Sequence, residues 1–473
     1  MKNRAIQSLL CLLLIGDAPG KTIPNHAIAD RVLGQTDFTT SAPLLPTSSF
    51  SLLSPTGIAI DPMSRKVFVA DRFNHRILRY PNVDSLSSGA GAEAVLGQAR
   101  FSTGSQGFDD LGLNGPVSLF FDRFGRLWVA DTDNNRVLMF EVASYRETNA
   151  YPDRVFGQPD FTTVTSGTTA AKMNLPYAVC VDGSDRLWVS EYGSSRVLRF
   201  DTISKKASGA PADGVLGQVN FTNSGAGVGS SGIQFPLGLT VSSGGSLYVA
   251  CLGSNRVLRF DNAAALGNGS GATVVFGQVD FNGSAPGLSS TSLNSPYGVW
   301  ITPDDSLWVT DFSNHRILRF DQASTRPTGA VANGVVGQEG FTSNSNSTTE
   351  RTLRFPSFQP LVDTVGNLWI PDRNNNRILR FPPDVTKPLL AVTSVVPKTT
   401  PKKKLLIKGT ASDLYGVSKI QYKIGKGSLK TAHGTANWQF NASLKPGKNI
   451  ITVFATDSVG NVSLNRVVKV KRD

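Results

Sequence analysis

Three short strings recur together six times along the chain. The first, G-Q-x-x-F, starts at residues 34, 97, 157, 217, 277 and 337, so one step is 63 residues long and the other four are 60. The second starts with proline, at 55, 116, 176, 236, 296 and 356. The third includes LWVTDFSNHRILRF from residue 307 and has related copies from 67, 127, 187, 247 and 368. Six matches at a nearly fixed spacing predict a repeat architecture.

Each unit contains four segments with the composition of β-strands. They are the proline-led segment, the L-W-V-A-D segment, the R-V-L-R-F segment and the segment with G-Q-x-x-F, and Gly-, Asp- or Ser-rich turns separate them. Four antiparallel strands repeated radially make a propeller blade, so six units predict six blades. A Gly-Gln strand stands alone at 32–38, and none follows the last unit. We therefore predict that this N-terminal strand completes the last blade and closes the ring.

The D-x-x-N-H-R-I-L pattern gives the repeat a family resemblance. It occurs as DRFNHRILRY from residue 71 and as DFSNHRILRF from residue 311, and it resembles the NHL-repeat family of six-bladed propellers. The resemblance covers about 32–381, and we assign 30–384 to the propeller. NHL-type and similar propellers include lyases, lactonase-like enzymes, receptor sensor domains and RNA-binding modules. The resemblance therefore implies a fold and does not select an activity.

An acid and an arginine stand five residues apart in the third string of five units. The pairs are Asp71 and Arg76, Asp131 and Arg136, Glu191 and Arg196, Asp311 and Arg316, and Asp372 and Arg377. Because an arginine fork suits a carboxylate across a tight turn, we predict structural turn pairs. Unit four has Cys251 in place of the acid, so Arg256 is expected to find another partner. The alternative is that these acids ring the channel mouth and bind a metal.

Varying residues near the same turns form a candidate recognition face. Aromatic and arginine side chains are favoured in binding surfaces, and seven of them fall there. They are Arg72, Phe73, Tyr177, Tyr192, Tyr297, Phe312 and Arg373. No catalytic residue, metal site or cofactor is predicted, because no nucleophile or zinc motif occurs. His75 and His315 occupy equivalent turn positions and are too few for a zinc centre.

The N-terminus has the pattern of an export signal. Two basic residues precede an apolar stretch at 5–16, and cleavage is expected after Gly20 or after Ala29, within a signal segment of 1–29. The alternative is a buried N-terminal helix. No apolar stretch approaches the roughly 20 residues of a membrane span, so no span is expected in the mature protein. We predict a secreted, periplasmic or cell-surface protein, in which Cys180 and Cys251 are free and buried.

The repeats stop near residue 384, and a basic segment follows. Residues 388–473 hold 13 Lys and 2 Arg against three Asp. Short alternating runs predict a small β-sandwich at 385–473, and the strings GTASD and ATDSVGN resemble bacterial immunoglobulin-like domains. The lysines predict contact with an anionic envelope surface, and the alternative is a solvated basic face.

These observations lead to an all-β chain with a closed six-bladed propeller and a sandwich. The predicted function is exported ligand or protein binding, or scaffolding, with a protein, peptide or glycan partner. The alternative is a propeller enzyme, lyase- or lactonase-like, that uses a metal at the channel rim. Nucleic acid is not expected, because the export signal and the neutral propeller argue against it.

Overall fold

The computed structural model describes residues 22–473, and these residues form two compact units. One unit is Asn25–Pro382, and the other is Pro383–Asp473 together with residues 22–24. The predicted signal segment lies outside the described residues up to residue 21. The described chain contains strands, 3₁₀ turns and loops but no α-helix. No helix among residues 22–473 is long and apolar enough to cross a membrane.

The first unit contains six antiparallel sheets of four strands each among the described residues. The first strand in the chain, β1, is Arg31–Leu33. Blade one is β2 (Pro55–Ile60), β3 (Lys66–Asp71), β4 (Arg76–Asn82) and β5 (Ala94–Leu96); blade two is β6 (Pro116–Phe121), β7 (Leu127–Asp131), β8 (Arg136–Phe140) and β9 (Arg154–Phe156). Blade three is β10 (Pro176–Val181), β11 (Leu187–Glu191), β12 (Arg196–Phe200) and β13 (Gly214–Leu216).

The remaining blades repeat the same order. Blade four is β14 (Pro236–Val241), β15 (Leu247–Cys251), β16 (Arg256–Phe260) and β17 (Val274–Phe276); blade five is β18 (Pro296–Ile301), β19 (Leu307–Asp311), β20 (Arg316–Phe320) and β21 (Gly334–Val336). Blade six is β22 (Leu361–Val362), β23 (Leu368–Asp372) and β24 (Arg377–Phe381), with β1 as its fourth strand. The first unit is therefore an all-β, six-bladed propeller.

Short 3₁₀ turns follow the second or third strand of the blades. After the second strand they are Arg72–Asn74, Thr132–Asn134, Leu252–Ser254, Phe312–Asn314 and Arg373–Asn375; after the third they are Ala143–Tyr145, Ile203–Lys205, Ala263–Ala265 and Ala323–Thr325. Each turn of the first set ends on a residue in the left-handed conformation, which is His75, Asn135, Asn255, His315 or Asn376. Asn and His are enriched among the few residue types that adopt this conformation, which accounts for their place in the repeated string.

The N-terminal strand closes the ring as predicted. β1 pairs antiparallel with β24, with Val32 opposite Leu379 and Leu33 opposite Ile378. The strand ends at Leu33, however, so the prediction of a strand over 32–38 was wrong beyond that residue. Gly34 turns the chain out of the sheet at φ +83°, and a Cβ there would lie 2.5 Å from Leu52. Only glycine fits such a turn, which explains why every copy has glycine at this position.

The aromatic row of the third string fills the space between blades. Trp128 of blade two packs in one cluster with Leu187 and Phe200 of blade three, and Trp188 packs with Leu247 of blade four. Cys180 and Cys251 are both free and buried, as predicted. Large rings shared by neighbouring sheets bury much apolar area, so the row stabilises the ring as a whole.

The second unit is a β-sandwich. One sheet is β25 (Leu389–Val392), β27 (Lys404–Ser412) and β30 (Asn437–Ser443). The other is β26 (Thr399–Thr400), β32 (Arg466–Arg472), β31 (Gly447–Asp457), β28 (Val417–Ile424) and β29 (Lys430–Thr431), in which only β26 runs parallel to its neighbour β32. Ile407 and Trp438 of the first sheet and Ile451 of the second share one core. Side chains of β30 alternate between buried and exposed, as expected for a sheet with one solvated face.

Candidate functional site

One end of the propeller is built from the turns between the second and third strands. The turn residues follow the acid that ends the second strand, and the proline that starts the inner strand pairs with that acid, as Pro176 does with Glu191 and Pro296 with Asp311. Tyr177 and Tyr297 therefore start from the same end of the propeller as the turns. This register places the residues of the candidate recognition face around one mouth of the channel.

The acid–arginine pairs lie beneath this face, fully buried. The arginine Nε lies 2.7 or 2.8 Å from the carboxylate in all five pairs, and both side chains have no exposed area. The guanidinium also donates to carbonyl oxygens: Arg76 donates to those of Phe101, Ser48 and Ser51. Each arginine thereby connects the turn to the segments before the inner strand and after the outer strand. The structure brings every predicted pair together.

These carboxylates are occupied by donors. Asp71 accepts from Leu53 N, Asn74 Nδ2 and Arg76 Nε. Burial raises the pKa of Asp71, and the charge of Arg76 and the hydrogen bonds oppose that rise. The acids point into the blades and are sealed from solvent, so they do not form an open rim for a metal ion. The rim-metal alternative therefore lacks its ligands.

Blade four lacks the acid, and its arginine is not compensated. Arg256 donates to the carbonyls of Phe281, Gly229 and Gly232, but its buried Nε has no acceptor. Arg256 thus has backbone carbonyls and the Cys251 side chain as neighbours but no carboxylate, and its Nε stays without an acceptor. Burial raises the pKa of Cys251 to about 11, so the thiol beside Arg256 stays neutral. Blade four thus keeps a buried cation without a counter-charge.

The residue after each 3₁₀ turn connects neighbouring blades. His75 Nδ1 accepts from Gly115 N at 3.0 Å, and His315 Nδ1 accepts from Phe355 N at 3.1 Å. Asn135, Asn255 and Asn376 accept from the equivalent backbone N–H through their side-chain oxygen. The two histidines therefore do what asparagine does elsewhere in the ring, and they are turn residues.

The aromatic members of the recognition face other than Phe73 form one connected cluster. Tyr177 lies 5.4 Å from Tyr192 between ring centroids, and Tyr297 stacks on Phe312 at 4.5 Å. The ring of Phe358 lies 5.8 Å from Tyr177 and 5.8 Å from Tyr297 and joins the two pairs. The side chains come from blades three, five and six, so the cluster spans the channel mouth.

Phe358 fills the channel below this cluster. The proline-led string of blade six, which predicts a full inner strand, forms only an isolated bridge at Pro356 and the two residues of β22. Between them the backbone crosses toward blade five, so closely that a Cβ on Gly298 would lie 1.2 Å from the Phe358 carbonyl oxygen. Phe358 is 1% exposed and packs with Val117 and Leu237 of blades two and four. Phe358 is therefore buried beneath the recognition face, and we call the face together with Phe358 the basin.

Two arginines give the basin a positive side. The guanidinium groups of Arg72 and Arg373 lie 5.7 and 5.8 Å from the ring centroid of Phe73, which is 48% exposed. Arg72 also lies 5.7 Å from the Tyr177 ring. Burial raises the pKa of Tyr297, and the charge of Arg373 opposes that rise. All seven predicted residues thus contact at least one other member or Phe358.

Sequence reasoning missed four residues of the basin. Phe235 stacks on Tyr192 at 5.1 Å, and Phe355 lies 4.9 Å from Phe312. Both precede the proline of an inner strand, where the other blades have Ser, Gly or Leu, so a comparison of that position would have found them. The other two missed residues are Asp133, which lies 3.9 Å from Arg72, and Phe358. Phe358 lies in an irregular strand that the repeat pattern does not predict.

Sequence comparison identifies the repeat. A family model described as NHL repeat matches residues 293–320, which cover the first three strands of blade five and the turn between the second and third. The chain contains an NHL repeat. It is 23% identical over 175 residues to NHL repeat-containing protein 3 of Mus musculus, over 34% of this chain and 43% of that protein. The human protein of the same name is 24% identical over 219 residues, 44% of this chain and 53% of that protein. The chain thus spans about half the length of the curated relatives it matches.

Solved structures also resemble this NHL-repeat chain. A streptogramin B lyase aligns with a TM-score of 0.42 and 12% identity, over 72% of this chain and 96% of that one. An auxiliary nutrient binding protein from Bacteroides ovatus aligns with a TM-score of 0.49 and 12% identity, over 77% and 78%.

Proposed function

We propose that this chain is an exported binding protein whose basin takes a ligand with a planar ring and an anionic group. The observation that carries the proposal is the position of Arg72 against Tyr177 at the edge of an aromatic cluster. Rings supply stacking surface at low entropic cost, and a guanidinium supplies directional recognition of a carboxylate or phosphate. A protein, peptide or glycan that presents such a group is a partner of this kind.

The charge balance of the basin favours an anion. Arg72 Nε is buried and has no acceptor, and the nearest carboxylate oxygen, on Asp133, lies 3.9 Å from Nη2. The Nε of Arg373 donates to the Ser54 hydroxyl at 3.1 Å, and Arg373 forms no ion pair among the described residues. Two cations thus face one partly exposed acid. Arg72 Nη2 donates to the Tyr177 hydroxyl at 3.5 Å, and a ligand carboxylate would add a charged acceptor at the part of the Arg72 side chain that is exposed.

The export and attachment parts of the proposal depend on the two ends of the chain. The signal-like N-terminal pattern supports a secreted, periplasmic or cell-surface location. The sandwich holds 13 Lys and 2 Arg in residues 388–473, and their charge supports attachment to an anionic envelope surface. Its strings GTASD and ATDSVGN support an immunoglobulin-like relationship.

The test uses matched aromatic acids and amides. We would titrate purified protein with phenylacetate and with phenylacetamide, and follow binding by ligand-observed NMR. A charge-assisted hydrogen bond contributes roughly 1.5–3 kcal/mol, so the acid should bind about 10- to 100-fold more tightly than the amide. Arg72→Gln should remove that difference and leave the weaker ring-dependent binding.

A matched control exists at the opposite end of the propeller. Arg123 lies 4.8 Å from the ring of Phe124, which is 52% exposed, in the turn between the first two strands of blade two. Arg123→Gln removes a similar arginine–ring contact and should leave the preference for the acid unchanged. Equal binding of acid and amide by the unmodified protein would contradict the proposal.

A further inference from the structure

Three acidic side chains of the second unit converge on one point. Asp384 precedes β25, Asp413 directly follows β27, and Asp457 is the last residue of β31. One carboxylate oxygen from each of them lies within 4.8 Å of the others. Asp413 and Asp457 belong to the strings GTASD and ATDSVGN, which the binding face at the propeller mouth does not involve.

The Oδ1 atoms of these acids are committed to their own turns. Asp457 Oδ1 accepts from the backbone N–H groups of Val459, Gly460 and Asn461. Asp384 Oδ1 accepts from Thr386 N and its hydroxyl, and Asp413 Oδ1 accepts from Tyr415 N. The turns thus fix each carboxylate and leave the second oxygens of Asp384 and Asp457 for another partner.

The second oxygens of two of these acids have no partner, although they are buried. Asp384 is 4% exposed and Asp457 is 1% exposed, and the Oδ2 of each accepts no hydrogen bond. A buried carboxylate oxygen without a donor or cation is costly, and native structures satisfy nearly all such atoms. These two atoms therefore point to a ligand that supplies positive charge.

The surrounding lysines do not supply that charge. Residues 388–473 contain 13 Lys and 2 Arg, yet none of the three acids forms an ion pair within 4.0 Å among residues 22–473. Asp473, by contrast, pairs with Lys471 at 3.2 Å. Three of the four acids in residues 383–473 are thus held together without a basic group at ion-pair distance.

We propose that Asp384, Asp413 and Asp457 bind a divalent cation, with Ca²⁺ as the ion that fits them. Ca²⁺ takes six to eight oxygens at about 2.3–2.6 Å, so opposite ligands lie about 5 Å apart, and three oxygens within 4.8 Å suit one ion. Mg²⁺ releases its waters reluctantly and prefers one or two carboxylates. A bound ion joins the segment before β25 to the ends of β27 and β31, and stabilises the sandwich.

The experiment compares the chelator-treated full chain with two Asp→Asn variants. Calorimetric titration with CaCl₂ should give one site per chain, and CaCl₂ should raise the unfolding temperature more than MgCl₂ at the same concentration. Asp413→Asn keeps an oxygen acceptor for Tyr415 N. It should weaken Ca²⁺ binding at least 10-fold and lower the unfolding temperature only when Ca²⁺ is present. Asp473→Asn is the control and should bind Ca²⁺ as the unmodified chain does.

Two results would overturn the proposal. One is the absence of both binding heat and stabilisation at millimolar CaCl₂. The other is Ca²⁺ binding by Asp413→Asn that equals binding by the unmodified chain, which would place the ion elsewhere. Loss of secondary structure in Asp413→Asn would be detected by circular dichroism. In that case Asp457→Asn, which keeps the same charge change and an Oδ1 acceptor, replaces it with the same expected 10-fold loss.

Discussion

Cys251→Asp should stabilise the protein, because it restores to blade four the carboxylate that five blades already have. In the unmodified chain the Arg256 Nε and the Ser254 hydroxyl are buried and have no hydrogen-bond partner. In blade five the equivalent carboxylate of Asp311 accepts from Arg316 Nε at 2.7 Å and from Asn294 N at 2.7 Å. An aspartate at 251 would have the same donors.

The magnitude follows from the two orphaned groups and the cost of burying a new charge. Each unsatisfied buried polar group costs roughly 1–3 kcal/mol, and a buried charge without its partner costs roughly 3–5 kcal/mol. Desolvation of the new carboxylate offsets several kcal/mol of this gain. We therefore expect a net stabilisation of about 2 kcal/mol. For a unit of this size the unfolding temperature should rise by about 3 °C, since the unfolding entropy grows with chain length.

The assay is thermal unfolding followed by calorimetry in the presence of a reducing agent, with denaturant unfolding as a second measure. Cys251→Asn is the control, because it offers Arg256 an acceptor without a charge. It should lie between the unmodified protein and Cys251→Asp. If Cys251→Asp folds but unfolds at the same or a lower temperature, Arg256 does not need a counter-charge, and the pairs in the other blades cannot be argued to stabilise their turns.

Three further predictions concern the ring. Arg316→Ala should destabilise the protein by roughly 3–5 kcal/mol in denaturant unfolding, because it leaves a buried carboxylate unpaired; unchanged stability would refute the role of the pairs. Burial lowers the pKa of His75 and His315, so the stability contributed by their neutral side chains should be present above pH 6.5 and lost as pH falls. The double variant His75→Asn, His315→Asn should therefore show a smaller fall in unfolding temperature between pH 7 and pH 5. A chain that starts at residue 30 should unfold at a lower temperature than one that starts at 21, because residues 25–29 form four hydrogen bonds with the propeller; equal temperatures would contradict this.

The start of the first repeat shows how much of the fold could be predicted from the sequence. The string A-I-A at 27–29 fits a cleavage site, yet it is also the repeat's own A-x-A, which recurs at 90–92, 210–212 and 330–332. In the structure His26 takes the left-handed conformation at φ 53°, as Gly89 does at φ 69°, and Val335 pairs with residues 25 and 26. The repeat therefore starts at residue 25. A longer alignment of the repeats would have shown that residues 25–29 continue the repeat pattern.

The ring was predictable because each blade solves the same packing problem. Strand pairing, the turn pairs and the closing strand depend on local spacing and composition. Because the pattern occurs six times, the shared features stand out from the variation of single copies. The strand prediction extended through Gly-Gln because the flanking residues favour strands. Residue composition does not reveal the positive φ of the glycine, which ends the strand. Phe358 was missed for a different reason, since one extra residue and Pro360 in blade six break a strand that the pattern predicts.

Departures from the repeat are informative because the ring does not require them. Five blades have no aromatic side chain at the position of Phe358. At the position before the inner-strand proline, blades four and six have Phe235 and Phe355, whereas the other four blades have Ser, Gly or Leu. Each departure exposes or redirects an aromatic side chain at the same mouth, and Arg72 lies among them with an unsatisfied Nε. Packing alone would favour repeating the neighbouring blades' residues. Phe124 also departs from the repeat, at the opposite end of the propeller, but Phe235, Phe355 and Phe358 lie together at one mouth, and the binding proposal rests on that clustering beside Arg72.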